Sequence, residues 1–217
     1  MAAPHMVVVD YHKGNLLSVE RSLVDAGARV TVSDDPQTIR EADAVVVPGV
    51  GAFEDAMTYL RESGEGEAIC DAAAREVPFL GICLGLHVLF DRGAERSDGT
   101  AGDWVGGLGI MPGSVTRLES GRLKVPHVGW DQLHLTAHGR ACPLYEGVPE
   151  GANVYFTHSY ALADDVDAKV VTTHSHYTRT FASGVWSNNV FGVQFHPEKS
   201  SATGLAILRN FVRVASR

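Results

Sequence analysis

Along the first part of the chain, short runs that are apolar at every position alternate with stretches whose apolar positions recur at helical spacing. Met6, Val7, Val8 and Val9 form the first run, compact and β-branched. Leu16, Val19, Leu23 and Ala26 then share one helix face, and Gly27 stops that helix. Val30 and Val32 begin a second strand, and Asp35-Pro36 opens a short helix, proline being suited to the first helical turn. Residues 44–47 make a third strand, ended by Pro48-Gly49-Val50-Gly51. A helical stretch follows, broken near Ser63-Gly64-Glu65-Gly66, and continues to about residue 76. Residues 78–82 read as a fourth strand and residues 84–90 as a helix directly after it. Fully apolar strands alternating with helices predict a parallel sheet covered on both faces.

The pattern then changes. Residues 115–118, 125–133, 153–160, 169–173, 180–186 and 190–196 all read as strands, and Asn188-Asn189 suits a tight hairpin turn between the last two. Residues 202–214 close the chain as an amphipathic helix with Leu205, Leu208 and Val212 on one face. There is no internal repeat, low-complexity tract or charged linker. The expected architecture is α/β, one domain over residues 1–217. Its central sheet is mostly parallel and flanked by helices, with antiparallel strands and a hairpin in the C-terminal half.

Composition adds bounds. A chain of 217 residues is long enough to hide roughly 70% of its unfolded surface, so it needs no disulfide or metal staple. At 45% hydrophobic and 20% charged, it is not a disordered chain. The formal charge of −8 does not fit a general binder of phosphate backbones, which carries a basic patch. The three cysteines, Cys70, Cys83 and Cys142, read as reduced thiols in a cytosolic setting. No stretch approaches the roughly 20 apolar residues that span a membrane, and no cationic segment precedes residues 6–9 as in a signal peptide. The expectation is a cytoplasmic protein with no nucleic-acid or membrane partner.

The sharpest local signal is Gly81-Ile82-Cys83-Leu84-Gly85, a G-x-C-x-G form of the nucleophile elbow. A strand turning abruptly into a helix holds one side chain at the strand tip, and glycines on both sides remove the Cβ atoms that would clash. A helix N-terminus favours the thiolate, the reactive form, and the Leu84 N–H would face an oxyanion formed on attack. The same residues also suit a buried cysteine at a strand end. Cys70, in an alanine-rich helix, and Cys142, before a proline, have no such setting.

A thiol nucleophile needs a base, and the base a group to orient it. Of ten histidines, His196 stands out because it ends the apolar run 190–195 and precedes Pro197-Glu198. Proline biases the preceding residue toward extended geometry, and residues two apart in an extended chain point to one side. His196 and Glu198 therefore face one place, at the carboxyl end of a strand, where open α/β folds keep their chemistry. Read alone, residues 195–198 equally suit a strand-exit loop; with the cysteine elbow they supply the remaining parts of a triad. His174 and His176 lack an accompanying cysteine or carboxylate cluster, so a solvent-facing hairpin is expected there and not a metal site; no cofactor is expected either.

Together, Gly81-Ile82-Cys83-Leu84-Gly85 and Gln194-Phe195-His196-Pro197-Glu198 resemble the class I (triad) glutamine amidotransferases. Asp10-Tyr11-His12-Lys13-Gly14-Asn15, Pro48-Gly49-Val50-Gly51-Ala52-Phe53, Val125-Pro126-His127-Val128-Gly129-Trp130 and Tyr155-Phe156-Thr157-His158-Ser159-Tyr160 narrow the resemblance. Together they look like the glutaminase subunits of imidazole glycerol phosphate synthases, with matches from about residue 7 to the C-terminus. The resemblance implies that Cys83, His196 and Glu198 hydrolyse glutamine and that Leu84 and Val50 supply oxyanion N–H groups. It places the substrate against Gly49, Gly51, His87, His158, Ser159 and Tyr160.

The implied partner is a phosphate-binding (β/α)₈ cyclase, forming a heterodimer, with Trp130 and Tyr155 near the interface. The cyclase would use the ammonia to make imidazole glycerol phosphate and aminoimidazole carboxamide ribotide in histidine biosynthesis. The chain departs from the pattern at Leu86-His87, where the family commonly has Met-Gln. An imidazole cannot offer the paired donor and acceptor of an amide. Two other readings stay open. One is the glutaminase of a pyridoxal phosphate, anthranilate or other synthase. The other is a chaperone-like α/β cysteine hydrolase, which usually carries histidine directly after its nucleophile.

Overall fold

The computed structural model describes residues 3–12, 14–98, 101–121 and 123–217; Lys13 of the motif at residues 10–15 lies outside them. The N-terminal part alternates strands and helices: β1 (His5–Val9), α1 (Leu16–Asp25), β2 (Arg29–Ser33), α2 (Pro36–Arg40), β3 (Ala44–Val47), α3 (Phe53–Ser63), α4 (Glu65–Ala74), β4 (Phe79–Ile82) and α5 (Leu84–His87). Local chemistry sets most boundaries. The Asn15 side chain accepts from the Ser18 N–H to cap α1. Asp35 accepts from the Gln37 and Thr38 N–H groups to cap α2, with Pro36 in its first turn. Gly64, in the left-handed region at φ 79°, divides α3 from α4.

The remaining elements are β5 (Phe90–Glu95), β6 (Ala101–Gly106), β7 (Met111–Arg117), β8 (His127–Leu135), α6 (Ala137–Ala141), β9 (Ala152–His158), β10 (Tyr160–Leu162), β11 (Val171–His176), β12 (Thr180–Ser187), β13 (Val190–Val193) and α7 (Ser201–Ala215). A nine-stranded sheet runs in the order β2-β1-β3-β4-β13-β12-β11-β8-β9. The strands from β2 to β13 are parallel, and the rest form an antiparallel extension. A second sheet, β10-β7-β5-β6, packs on one face of the first.

Both faces of β1, β3, β4 and β13 are buried, as their unbroken apolar runs require, whereas β2 at the sheet edge is only partly covered. Met6 and Val8 meet α1 and α7 through Val19, Leu23, Leu208 and Phe211. Val7 and Val9 meet α3 and α4 through Phe53, Met57, Leu60 and Ile69.

Three expectations change. The helix expected over residues 84–90 is a single turn, and Phe90 starts a strand. The carbonyls of Val88, Leu89 and Phe90 accept from residues 108–111 instead of from a continuing helix. The strand expected over 153–160 breaks at Ser159, because its first part pairs with β8 in the large sheet and its end with β7 in the small one. The strand expected over 190–196 ends at Val193. The chain stays extended through His196, where the His196 N–H donates to the Tyr155 carbonyl at 2.9 Å.

Glu65 opens α4 fully buried. Burial, reinforced by the charges of Asp34 and Asp10, pushes its carboxyl from the ordinary 4.5 up to about 7. The folded state thus keeps a proton that the unfolded chain has released, and stability falls as pH rises from 4.5 to about 7. Glu65→Leu is expected to stabilise the protein by on the order of 2 kcal/mol at pH 8 and much less at pH 4. Urea unfolding at the two pH values reads this directly; equal gains at both would refute the titration.

Candidate active site

Cys83 sits between β4 and α5 with φ 54° and ψ −106°, a conformation rare for a residue with a Cβ. Its N–H donates to the Val193 carbonyl at 2.8 Å, and its carbonyl accepts from Leu86 and His87, so the turn is fixed from both ends. A Cβ on Gly81 would stand 2.4 Å from the Gly85 carbonyl oxygen, and one on Gly85 would stand 1.7 Å from that of Val47. The two glycines are therefore sterically required. Since α5 is one turn long, the local N–H groups matter here more than a helix dipole.

His196 and Glu198 lie on the turn leaving β13, both side chains buried, with Nδ1 and Oε1 2.8 Å apart. The same-side placement expected from Pro197 is realised. Burial disfavours a charged His196, but the Cys83 sulfur and the Glu198 carboxylate outweigh it and raise the imidazole to about 10. The other cysteines differ. Burial raises the Cys70 thiol and pushes that of Cys142 up to about 12, away from the reactive form.

A cavity of about 380 Å³ opens over Cys83, within the usual range for small-molecule sites. Val50, Gly51, Leu84, His87, His158, Ser159 and Tyr160, all expected there, line it. Gly49 lies behind the wall. The Tyr11 hydroxyl donates to the Pro48 carbonyl at 2.6 Å and leaves no room for a Cβ on Gly49.

The two expected histidines of the wall are held by hydrogen bonds, His158 through both ring nitrogens and His87 through Nε2. His158 is held neutral, lowered to about 3 chiefly by burial. Its Nδ1–H donates to the Tyr160 carbonyl at 2.8 Å, and its Nε2 accepts from His127 Nδ1–H at 3.2 Å. His87, lowered to about 4 by burial, donates from Nε2 to Gln194 Oε1 at 2.7 Å.

Five contributors, Ala52 of the cavity wall among them, were missed by sequence reasoning. Thr157 offers its carbonyl to Cys83 Sγ at 3.9 Å, and Gln194 Nε2 lies 3.7 Å from the same sulfur. Pro126 and Glu95 line the cavity. Glu95 accepts from the Phe53 N–H at 3.2 Å, and burial pushes its carboxyl up to about 7. Nothing local marks Glu95 in the sequence, whereas Gln194 stands inside a motif already singled out. Trp130 is 54% exposed and meets Tyr155 edge-on, with ring centroids 5.9 Å apart. Among the described residues no group of three or more His, Cys, Asp or Glu side chains is arranged to hold a metal. Nor is any helix long and apolar enough to cross a membrane.

The sequence profile of the family described as glutamine amidotransferase class-I matches residues 7–215. The chain belongs to the class-I glutamine amidotransferases. Among these amidotransferases, the imidazole glycerol phosphate synthase subunit HisH of Moorella thermoacetica is 46% identical over 206 residues, covering 95% of this chain and 93% of the relative. The subunit of the same name from Gloeobacter violaceus is also 46% identical, covering 99% and 92%. The amidotransferase fold recurs in PurLQS from Thermotoga maritima, with a TM-score of 0.75 at 18% identity over 98% of this chain and 99% of that one. A solved glutamine amidotransferase gives 0.71 at 17% identity over 97% and 99%.

Proposed function

We propose that the chain is the glutaminase subunit of an imidazole glycerol phosphate synthase, working as one domain over residues 1–217. It would hydrolyse glutamine to glutamate and ammonia and pass the ammonia to a (β/α)₈ cyclase. The cyclase would form imidazole glycerol phosphate and aminoimidazole carboxamide ribotide in histidine biosynthesis, in the cytoplasm. The observation that carries the chemistry is the strained Cys83 elbow, opening on the cavity beside the buried His196–Glu198 pair. The full-length relatives at 46% identity favour this synthase over pyridoxal phosphate or anthranilate synthases.

In this reading the Cys83 thiolate attacks the side-chain carbonyl carbon of glutamine. The oxygen takes up the charge and is held by the N–H groups of Leu84 and Val50. Protonated His196 gives its proton to the amide nitrogen, ammonia leaves and a γ-glutamyl thioester remains. Neutral His196 then takes a proton from water as the water attacks. The thiolate leaves, and glutamate departs. Glu198 orients His196 and stabilises its cation. Gly51, Ser159 and Tyr160 would face the substrate, with His87 and His158 shaping the wall. Glu95 would pair with the substrate ammonium, whose charge would draw the carboxyl back to its ionised form.

Ammonia released to water would become ammonium, so the acceptor belongs close by. Val128 and Trp130, two apart on β8 and both exposed, with Tyr155 against Trp130, offer an apolar docking edge. Tyr155 also accepts the His196 N–H through its carbonyl, which brings this edge next to the triad. The reading is tested by reconstitution with the cyclase. Glutamine should support formation of imidazole glycerol phosphate only when both chains are present, and failure with this cyclase alongside success with another synthase would reassign the acceptor.

A further inference from the structure

Gln194 is fully buried and stands two residues before His196 on the extended chain leaving β13, so both side chains turn to the same side. Its amide is held at both ends. Nε2 lies 3.7 Å from Cys83 Sγ, and Oε1 accepts from His87 Nε2–H at 2.7 Å. Gln194 does not line the cavity, so its amide is aimed at the sulfur and not at a ligand. An amide has two ways round, and here they differ chemically. With the NH₂ toward sulfur, a negative sulfur receives a hydrogen bond. With the amide reversed, a carbonyl oxygen would face that negative charge, and His87 would need its other tautomer to accept from the NH₂.

We propose that Gln194 is a hydrogen-bond donor to the Cys83 thiolate and that His87 is the positioning residue that keeps its amide facing that way. The proposal rests on Cys83 being the nucleophile. It gives the histidine at position 87 a role that does not require contact with the substrate. Burial keeps His87 neutral across the physiological range, so it carries a single N–H, and with that proton on Nε2 it faces Gln194 Oε1 at 2.7 Å. His196 and Gln194 then divide the work. His196 must surrender its proton to the departing ammonia, whereas Gln194 cannot lose its own. The amide therefore supports the sulfur charge before attack and again when the thiolate leaves the thioester.

The test is the pH profile of Cys83 alkylation by iodoacetamide on the full-length chain, with glutamine kcat and KM alongside. Gln194→Met keeps the size and removes the donor. Its alkylation midpoint should move up by about one pH unit, a roughly tenfold loss of reactivity on the acid side, as for one hydrogen bond to a charged group. Its kcat should fall while KM stays within about twofold, since the amide lies outside the cavity. Gln194→Glu, which turns a carboxylate toward the sulfur, should move the midpoint further in the same direction. A merely structural glutamine would not sort its variants by charge. His87→Leu removes the anchor from the other end and should give an upward shift, which also covers the case in which Gln194→Met does not fold. An unmoved midpoint in Gln194→Met or His87→Leu, or equal midpoints in the Met and Glu variants, overturns the proposal. Cys83→Ala run in parallel separates the two levels, because glutaminase retained there would remove the nucleophile assignment itself.

Discussion

Cys83→Ala is expected to lower glutamine hydrolysis by at least about 10³-fold, because removing a nucleophile removes the covalent route and leaves only binding and oxyanion stabilisation. No neighbouring thiol can replace it. The Cys70 thiol is engaged with the Leu108 carbonyl, and Cys142 is buried with its thiol pushed up to about 12. The variant should fold normally, since its sulfur lies beside the cavity and contributes only weak contacts to Thr157 and Gln194. Ammonium salts should still support synthesis when the variant is paired with the cyclase, because the acceptor chemistry needs ammonia and not this sulfur. Glutamate release and product formation measured on one preparation separate the two activities. Hydrolysis within tenfold of the wild type would refute the nucleophile assignment.

Gly85→Ala is expected to damage the elbow from beneath. The added Cβ would sit 1.7 Å from the Val47 carbonyl oxygen. That oxygen belongs to β3, which is fixed between β1 and β4, with Val47 opposite Gly81. Neither backbone can retreat without breaking a ladder. The cost is about 3 kcal/mol, at the upper end of the usual scale of overpacking, or about 6–12 °C in Tm for a chain of this size. Any folded fraction should lack glutaminase, since Cys83 could not hold its position. Gly121→Ala is the matching control, with no atom near its added Cβ. A Gly85→Ala protein with unchanged Tm and activity would contradict the packing argument.

The parallel half of the fold was legible because β1, β3, β4 and β13 are buried on both faces and so read as unbroken apolar runs, as at residues 6–9 and 44–47. The elbow was legible because its glycines answer a local steric demand. The pairing of His196 with Glu198 followed from the single proline between them. What lay out of reach depends on distant chain. β5 and β6 are mixed in polarity, with half-exposed positions such as Ala94 and Glu95, and exist because β7 and α3 pack beside them. The helix begun at Leu84 stops after one turn because residues 108–111 capture the next carbonyls. Glu95 reaches the cavity from the second sheet, which no spacing could announce. His127 and His158 look like isolated histidines until β8 and β9 pair them directly across the ladder.

The central claim is that the amide nitrogen of glutamine passes through Cys83 chemistry to a cyclase without entering the solvent. Its most direct test supplies the reconstituted pair with glutamine labelled with ¹⁵N at the amide, together with excess unlabelled ammonium, and measures ¹⁵N in imidazole glycerol phosphate by mass spectrometry. The account predicts nearly complete labelling with the wild-type chain and none with Cys83→Ala. Product labelled only to the level of the mixed ammonium pool, or unlabelled with the wild-type chain, would contradict it.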